Sequence, residues 1–304
     1  MQSVKQTILS RLSQLNIKPS KGLGQNFLID TKAYDKIVEA ADLKQGETVL
    51  EIGPGLGTLT ERLVATGAKV IAVEKDRKLI SFLSELLGNT QSSNLAFYND
   101  RIGVRGVAKA VTVIEADALK FNPTELGFKD RQYKVVANIP YYITGQLLKN
   151  IYEVWPKPSL VVLLVQKEVA QRMIAKPPHS NILALTTQYF AEPKIISYIS
   201  KHNFYPSPKV DSAIIRLATS DKQPSFAKAS AGRQETSKEV KKLFKTIKIG
   251  FSSKRKKLSN NLSAGFGLSK GQISAILKAI ALSENIRAEN LTLDQWQKLA
   301  DSIS

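Results

Sequence analysis

The stretch 49–57, which reads V-L-E-I-G-P-G-L-G, constrains the fold more than any other part of the chain. Its apolar residues predict a buried strand, its three glycines at alternate positions predict a loop, and residues 58–64 continue with the apolar spacing of a helix. A strand, a glycine loop and a helix N-terminus together present backbone N–H groups to a small polar ligand. Because Thr58 stands where dinucleotide-binding loops carry a third glycine, the pattern favours a nucleoside-type ligand without a pyrophosphate.

Each of the next three apolar stretches leads to a polar residue that can bind a ligand. The second predicted strand ends in Glu74, the third leads to Asp117 and the fourth leads to Asn138. Because the ligand crevice of a parallel doubly wound sheet lies outside the carboxyl ends of its strands, we expect these residues and Gly53 at one edge. There Glu74 could accept both hydroxyls of a ribose, and Asp117 could accept an amine hydrogen of a purine.

These strands predict an α/β fold with one seven-stranded doubly wound sheet. The predicted strands are residues 49–53, 70–74, 111–114, 134–137, 160–165, 192–200 and 212–217, and we expect the last of them to close the sheet. The predicted helices are residues 4–16, 31–43, 58–64, 77–87, 166–175 and 181–190. Residues 88–110 are polar and dotted with glycines, which predicts an insertion loop.

The composition changes after residue 220, which predicts a second domain. Residues 221–236 are small and polar and predict a linker between a first domain at 1–220 and a second at 237–304. The second domain is expected to be all-helical and smaller, with helices at 238–250, 255–264, 270–280 and 292–302.

The charge of the chain points to a polyanionic partner. With 44 Lys and Arg against 26 Asp and Glu, the net charge is +18, which favours nucleic acid or an anionic membrane face. The sequence has no apolar run near the ~20 residues of a membrane span and no signal-peptide core, so we expect a cytoplasmic protein. The sequence has no cysteine and only two histidines, which argues against a metal site and against a catalytic triad.

Eight cations without an acid between them occupy residues 241–257. They are Lys241, Lys242, Lys245, Lys248, Lys254, Arg255, Lys256 and Lys257. A solvated helix face is one interpretation, but so many like charges repel one another unless a polyanion compensates them. We therefore predict that this segment contacts RNA phosphates, which would position the RNA rather than read its sequence.

The most specific short motif is Asn138-Ile139-Pro140-Tyr141. An exocyclic amine of a base is a poor nucleophile, because its lone pair is delocalised into the ring. The Asn138 amide oxygen and the Ile139 carbonyl could hold the two amine hydrogens and aim the lone pair at a methyl group, while Tyr141 stacks on the base. On residue pattern alone, the alternative is a strand-end turn with a packing tyrosine.

Four motifs occur in a fixed order and together carry a family resemblance. They are Gly24-Gln25-Asn26-Phe27-Leu28, the glycine loop, the Asn-Ile-Pro-Tyr motif, and the segment from Phe204 to Ser212 that reads F-Y-P-S-P-K-V-D-S. From about residue 18 to the C-terminus the chain resembles the ribosomal RNA small-subunit adenine N6,N6-dimethyltransferases, part of the rRNA adenine N6-methyltransferase family. The resemblance implies S-adenosyl-L-methionine as cofactor, a Rossmann-like methyltransferase sheet and dimethylation of two adjacent adenosines near the 3′ end of small-subunit rRNA.

The resemblance also implies roles for individual residues. The cofactor contacts carried over by position are Asn26, Leu28, Gly53, Gly55, Glu74, Asp117 and Asn138, with Glu74 on the ribose and Asp117 on the adenine amine. The residues of the target-base site are Asn138, Pro140, Tyr141 and Phe204. Residues 21–28, which by composition predict an ordinary connector, become an expected flap over the active site.

Two other functions stay open at this point. One is a large-subunit rRNA adenine N6-methyltransferase of the macrolide-resistance type, which shares the Asn-Ile-Pro-Tyr motif. The other is a non-catalytic rRNA-binding assembly or transcription factor with the same fold. The expected partner is the small ribosomal subunit during its assembly, and the expected state is a monomer without a metal ion.

Overall fold

The computed structural model describes residues 3–19, 25–87, 103–108, 111–220, 234–253 and 255–303. The strands are β1 (Phe27–Leu28), β2 (Thr48–Ile52), β3 (Lys69–Glu74), β4 (Gly103–Ala108), β5 (Val111–Glu115), β6 (Tyr133–Asn138), β7 (Leu160–Gln166), β8 (Ala191–Ile199), β9 (Phe204–Tyr205) and β10 (Ser212–Thr219). The helices are α1 (Val4–Gln14), α2 (Thr31–Ala41), α3 (Thr58–Ala65), α4 (Arg77–Leu86), α5 (Thr144–Glu153), α6 (Lys167–Met173), α7 (Ile182–Phe190), α8 (Gln234–Gly250), α9 (Leu258–Phe266), α10 (Lys270–Ala279) and α11 (Leu293–Ser302).

The contacts divide the chain into two compact units. The first contains Met1–Ala170 and Lys194–Thr219, and the second contains Gln171–Pro193 and Ser220–Ser304. Part of the segment assigned to the first domain from sequence, Gln171–Pro193, thus packs with the C-terminal helices. Of the predicted linker at 221–236, residues 221–233 lie outside the described residues. Its last three residues, 234–236, form the start of α8.

The main sheet confirms the predicted α/β class and all seven predicted strands. Its strand order is β4-β5-β3-β2-β6-β7-β10-β8, and the pairs from β5 to β7 are parallel. The parallel strands are apolar and buried, as expected for strands covered on both faces. The order reverses beside β2, so the loops after β2 and β6 flank the crevice where doubly wound sheets bind ligands.

Three local predictions differ from the structure. The strand β4 lies within the predicted loop at 88–110 and pairs antiparallel with β5; its two glycines and a register shift between Val104 and Val107 hide the strand pattern. The expectation that the last strand closes the sheet is wrong. β10 pairs antiparallel with β7 and lies between β7 and β8, so β8 forms the edge of the sheet. The helix α5 was not predicted, although Leu147, Leu148 and Ile151 form its buried face.

The N-terminal helix α1 packs on the glycine loop that follows β2. Its Ile8 and Leu12 form one apolar cluster with Leu56 and Leu79. The Arg11 guanidinium donates to the Leu56 carbonyl at 2.8 Å and pairs with Glu61 of α3 at 2.7 Å. The loop is therefore supported by a helix whose Arg11 lies 45 positions before Leu56 in the sequence.

The second unit contains the helices that were predicted after the linker. Tyr189 and Phe190 of α7 contact the ring of Phe244 in α8, with centroids 5.2 and 5.8 Å apart. Gly250 lies against Trp296, where an added Cβ would come within 2.3 Å of the indole ring, so the close approach of α8 and α11 requires glycine here. Within the described ranges, no helix combines the length and the apolar character needed to cross a membrane.

Candidate active site

A cavity of about 510 Å³ lies in the first unit at the carboxyl ends of β2, β3, β5 and β6. Every residue predicted for the cofactor or the target base lines it: Asn26, Leu28, Gly53, Gly55, Glu74, Asp117, Asn138, Pro140, Tyr141 and Phe204. The structure therefore brings together residues that span 179 positions of the sequence, from 26 to 204 counted inclusively. Their individual roles stay predictions, since the cavity alone does not assign them.

The glycine loop holds its shape through backbone conformations that favour glycine. Gly53, Gly55 and Gly57 have φ values of 70°, 57° and 79°. At Gly57 an added Cβ would also lie 2.8 Å from the side chain of Leu83, so α4 leaves no room for one. The N–H of Gly55 donates to the Glu74 carboxylate at 3.3 Å, which ties the loop to the end of β3.

The Glu74 carboxylate is held by three backbone donors. Besides Gly55, the N–H groups of Lys75 and Asp76 donate to its other oxygen at 2.7 and 3.0 Å. Burial raises the pKa of Glu74 above its usual value, and the three N–H donors offset part of that rise. Two carboxylate oxygens offer about four acceptor positions, so about one remains for a ligand hydroxyl, and the 3.3 Å bond from Gly55 is the longest of the three.

Asp117 is anchored at a fixed position after β5. One oxygen accepts from the Leu119 N–H at 3.0 Å, and the other pairs with the Lys75 ammonium at 2.9 Å. The hydrogen bond and charge of Lys75 lower the pKa of Asp117, so this carboxylate is ionised at neutral pH. Lys75 itself is 74% exposed, so the pair lies at the mouth of the cavity.

The Asn-Ile-Pro-Tyr motif begins at Asn138, the last residue of β6, and faces the glycine loop. A Cβ on Gly53 would lie 3.5 Å from the Ile139 side chain and 3.9 Å from the Asn138 carbonyl oxygen. Pro140 precedes a 3₁₀ turn, Tyr141–Ile143, which begins at the residue predicted to stack on a base. The motif and the glycine loop therefore share one wall of the cavity.

The two predicted base-contacting aromatics are both positioned by neighbours. The Tyr141 hydroxyl shares a 2.6 Å hydrogen bond with the Oγ of Ser212, which is fully buried at the start of β10. Burial raises the pKa of Tyr141, and the bond to Ser212 opposes that rise. Phe204 is 4% exposed and lies in β9, which pairs with β1 opposite Leu28.

The predicted flap at 21–28 is only partly described. Residues 20–24 lie outside the described residues, whereas Gln25, Asn26, Phe27 and Leu28 line the cavity. Phe27 lies against the glycine loop, because a Cβ on Gly55 would meet its ring at 3.6 Å. The described half of this segment is therefore part of the cavity wall.

Sequence analysis missed Glu51, which lines the cavity from the middle of the buried strand β2. Its side chain is 1% exposed, and neither carboxyl oxygen makes a well-formed hydrogen bond to the described residues. Burial raises its pKa to about 8, with Glu74 adding to the rise and the Thr60 hydroxyl opposing it. A charged residue inside an otherwise apolar strand was the signal that could have identified it.

The basic segment of the second unit is largely exposed to solvent. Lys241, Lys245 and Lys248 lie on the exposed face of α8, and Lys242 is half-buried. Arg255, Lys256 and Lys257 are exposed before α9, and Lys254 lies outside the described residues. Lys257 donates to the Asn285 side chain at 2.6 Å, and Lys245 lies 5.7 Å from the centroid of the Phe266 ring.

The described part of the chain contains no cluster of His, Asp and Glu side chains that could hold a metal ion. The cavity instead combines features that fit S-adenosylmethionine. Glu51 offers a buried carboxyl with unused acceptors for an ammonium group, and Glu74 offers carboxylate oxygens for hydroxyl groups. Gly53 and Gly55 line the cavity, and neither carries a side chain that would cover its backbone.

Known proteins resemble this chain over nearly its whole length. Residues 16–304 match the profile of the family described as Ribosomal RNA adenine dimethylase. The ribosomal RNA small subunit methyltransferase A of Dehalococcoides mccartyi is 38% identical over 283 residues, which cover 93% of this chain and 88% of the relative. The protein of the same name from Pelotomaculum thermopropionicum is 38% identical over 292 residues, which cover 94% and 92%.

Solved structures support the same fold. A dimethyladenosine transferase from Plasmodium falciparum has a TM-score of 0.69 and 24% identity, and the match covers 90% of this chain and 95% of that one. The 23S rRNA methyltransferase ErmE has a TM-score of 0.66 and 23% identity, with coverages of 91% and 99%. The extent of the family match and the identity to its members confirm the resemblance, and this chain belongs to the ribosomal RNA adenine dimethylase family.

Proposed function

We propose that this protein transfers methyl groups from S-adenosylmethionine to the N6 atoms of two adjacent adenosines near the 3′ end of small-subunit rRNA. The fold and the family imply the methyl donor. The relatives at 38% identity are named small subunit methyltransferases, which favours that subunit over the large one. The observation that carries the proposal is the meeting of the glycine loop, Glu74 and the Asn-Ile-Pro-Tyr motif in one cavity.

The cofactor side of the cavity would use the buried carboxyl group of Glu51 and the half-buried one of Glu74 differently. Glu51 would accept the ammonium group of the cofactor, since a cation is the partner that an unpaired buried carboxyl lacks. Glu74 would accept the ribose hydroxyls, and Asp117 would accept the adenine amine. Asn26, Leu28, Gly53 and Gly55 would contact the remaining surface, as the family resemblance implies.

The base side would hold the amine of the target adenine. S-adenosylmethionine supplies a methyl group that its sulfonium charge already activates, so the protein needs no strong general base. The Asn138 amide oxygen and the Ile139 carbonyl would accept the two amine hydrogens and direct the nitrogen lone pair toward the methyl. Tyr141 and Phe204 would hold the unstacked base between them, with Pro140 setting the turn.

The second unit would supply affinity for RNA. The cations of α8 and of residues 255–257, together with Lys254, would contact phosphates and position the subunit without reading its sequence. This division of labour between a methyltransferase unit and an rRNA-binding unit is part of the proposal. The proposal also includes action on a small-subunit assembly particle, a monomeric state and a cytoplasmic location.

The proposal is tested by incubating the purified protein with labelled S-adenosylmethionine and, in parallel reactions, with small subunits that lack this modification and with large subunits. We expect N6,N6-dimethyladenosine among the nucleosides of small-subunit rRNA, measured by mass spectrometry after digestion. Binding to the subunit without methyl transfer would overturn the enzymatic assignment in favour of an assembly factor. Label confined to large-subunit rRNA would assign the protein to the macrolide-resistance type instead.

A further inference from the structure

A two-stranded ribbon connects the two sides of the cavity. Strands β1 and β9 pair antiparallel, with Leu28 opposite Phe204. One step further along, the Ile29 N–H donates to the Asn203 carbonyl at 2.8 Å. The segment with the predicted cofactor contacts is therefore hydrogen-bonded directly to the segment with a predicted base contact.

Asp30 and Asn203 close the end of this ribbon with a side-chain hydrogen bond. The Asn203 amide donates to the Asp30 carboxylate at 2.6 Å, and both residues are half-buried. The other Asp30 oxygen accepts from the Lys32 N–H at 2.9 Å and thereby caps α2. Because α2 packs against β7 and β10, the bond anchors the base-side loop to the main sheet.

Both strands of the ribbon reach into the cavity. On one side, Phe27 lies against Gly55 of the glycine loop, and the Leu28 carbonyl accepts from the Tyr34 hydroxyl at 2.9 Å. On the other side, Phe204 is buried and lines the cavity. The pairing of β1 with β9 therefore links the positions of two segments that both line the cavity.

We propose that Asp30 and Asn203 are positioning residues that fix the target base relative to the bound methyl donor. The inference rests on the proposed function, because it takes Asn26 and Leu28 as cofactor contacts and Phe204 as a base contact. Methyl transfer requires the acceptor nitrogen within reach of the methyl carbon, and a misplacement of about 1 Å can slow such a step about 100-fold. Loss of the bond should therefore lower turnover and leave cofactor affinity nearly unchanged.

A charge swap tests this pair specifically. Asn203→Asp places two carboxylates face to face, whereas the double variant Asp30→Asn with Asn203→Asp restores an amide–carboxylate bond in the opposite direction, and Asn still caps a helix. Turnover is measured on small subunits lacking the modification, and the affinity for S-adenosylhomocysteine by calorimetry. We expect Asn203→Asp to lower kcat about 10- to 30-fold, and the double variant to recover to within about threefold of wild type.

Matched controls separate positioning from folding. His202→Asp adds the same charge one position away, on an exposed side chain, and should keep the wild-type kcat. Asn203→Ala removes the bond without introducing charge repulsion. It should lower kcat about fivefold and the melting temperature by only about 2–4 °C, so the protein stays folded in the assay. Equal kcat values for wild type and Asn203→Asp, or a double variant as slow as Asn203→Asp, would overturn the inference alone. A wild-type protein that does not bind S-adenosylhomocysteine would overturn the proposed function together with it.

Discussion

The two sides of the cavity are built in different ways. On the cofactor side, Gly53 and Glu74 stand at the ends of paired parallel strands, and Asp117 follows the next strand, so the sheet ladder fixes their spacing. On the base side, Tyr141 lies on a 3₁₀ turn and Phe204 on a two-residue strand. The Tyr141 hydroxyl bonds to Ser212, whereas the segment of Phe204 is held by its short pairing with β1 and by the side-chain bond of Asn203 to Asp30.

Because of this difference, substitutions on the two sides of the cavity should have different effects. A change on the cofactor side acts on a rigid frame and should alter affinity or stability, with little effect on geometry elsewhere. A change on the base side loosens the position of a reacting group and should alter turnover, with little effect on cofactor affinity. Asn138 ends a ladder strand and begins the base-side turn, so it lies on the boundary between the two sides.

The largest effect is therefore expected at Asn138. Asn138→Ala should lower kcat on small subunits about 100- to 1,000-fold, because it removes an acceptor that acts on the reacting amine. The dissociation constant for S-adenosylhomocysteine should change less than about fivefold, as measured by calorimetry. Asn122→Ala, which removes a 3₁₀-helix cap away from the cavity, is the matched control for an Asn truncation. Turnover of Asn138→Ala within tenfold of wild type would contradict the base-side role.

The difference in construction also explains what could be predicted from sequence. The strand ends were predictable, because an apolar stretch that ends in a polar residue such as Glu74 or Asn138 indicates both a buried strand and the point where it ends. The bond between Tyr141 and Ser212 was not, because it joins residues 71 positions apart and depends on β10 lying beside β7. The bond of Asp30 to Asn203 spans 173 positions and follows from the same tertiary packing.

Other failures have local causes. The strand β4 was not recognised because two glycines in six residues weaken the alternation that marks a strand. Glu51 was read as part of the strand pattern, although burial on both faces of a central strand leaves a carboxyl there without water. Periodicity thus predicts which residues are buried but not which buried residue binds a ligand.

On the cofactor side, Glu51 should lower the stability of the free protein at high pH and strengthen cofactor binding. Its pKa is about 8 in the folded protein against about 4.5 normally, so between these values the folded state holds the extra proton. The free energy of unfolding therefore falls as pH rises through this range. Glu51→Gln lacks this titration, so its Tm should match wild type near pH 5 and exceed it by on the order of 5 °C above pH 8.

The same variant should bind S-adenosylhomocysteine about tenfold more weakly, because the neutral amide is a poorer partner for an ammonium group than a carboxylate. Calorimetric melting across pH 5 to 9 and binding at pH 7.5 measure the two effects separately. A Tm difference that does not grow with pH, or unchanged binding, would show that Glu51 has no such role.

On the base side, removing the bond between Tyr141 and Ser212 should have a smaller effect that appears in turnover. Tyr141→Phe and Ser212→Ala should each lower kcat/KM for the RNA about 3- to 10-fold, the range of one hydrogen bond, with cofactor affinity unchanged. Because both variants remove the same bond, the double variant should be no slower than the slower single variant. Additive losses would mean that the two side chains act independently.

The smallest effect is expected at Lys75, whose exposed ammonium group pairs with Asp117 on the cofactor side. An ion pair this exposed contributes little free energy, so Lys75→Met should change the affinity for S-adenosylhomocysteine by less than about threefold. Wild-type affinity should rise slightly with added salt, since screening frees Asp117 for the adenine amine, whereas Lys75→Met should be insensitive to salt. The measurement is calorimetry at low and high ionic strength. A change of tenfold or more would place Lys75 among the residues that bind the cofactor, and the cofactor side would then depend on an exposed side chain as well as on the sheet.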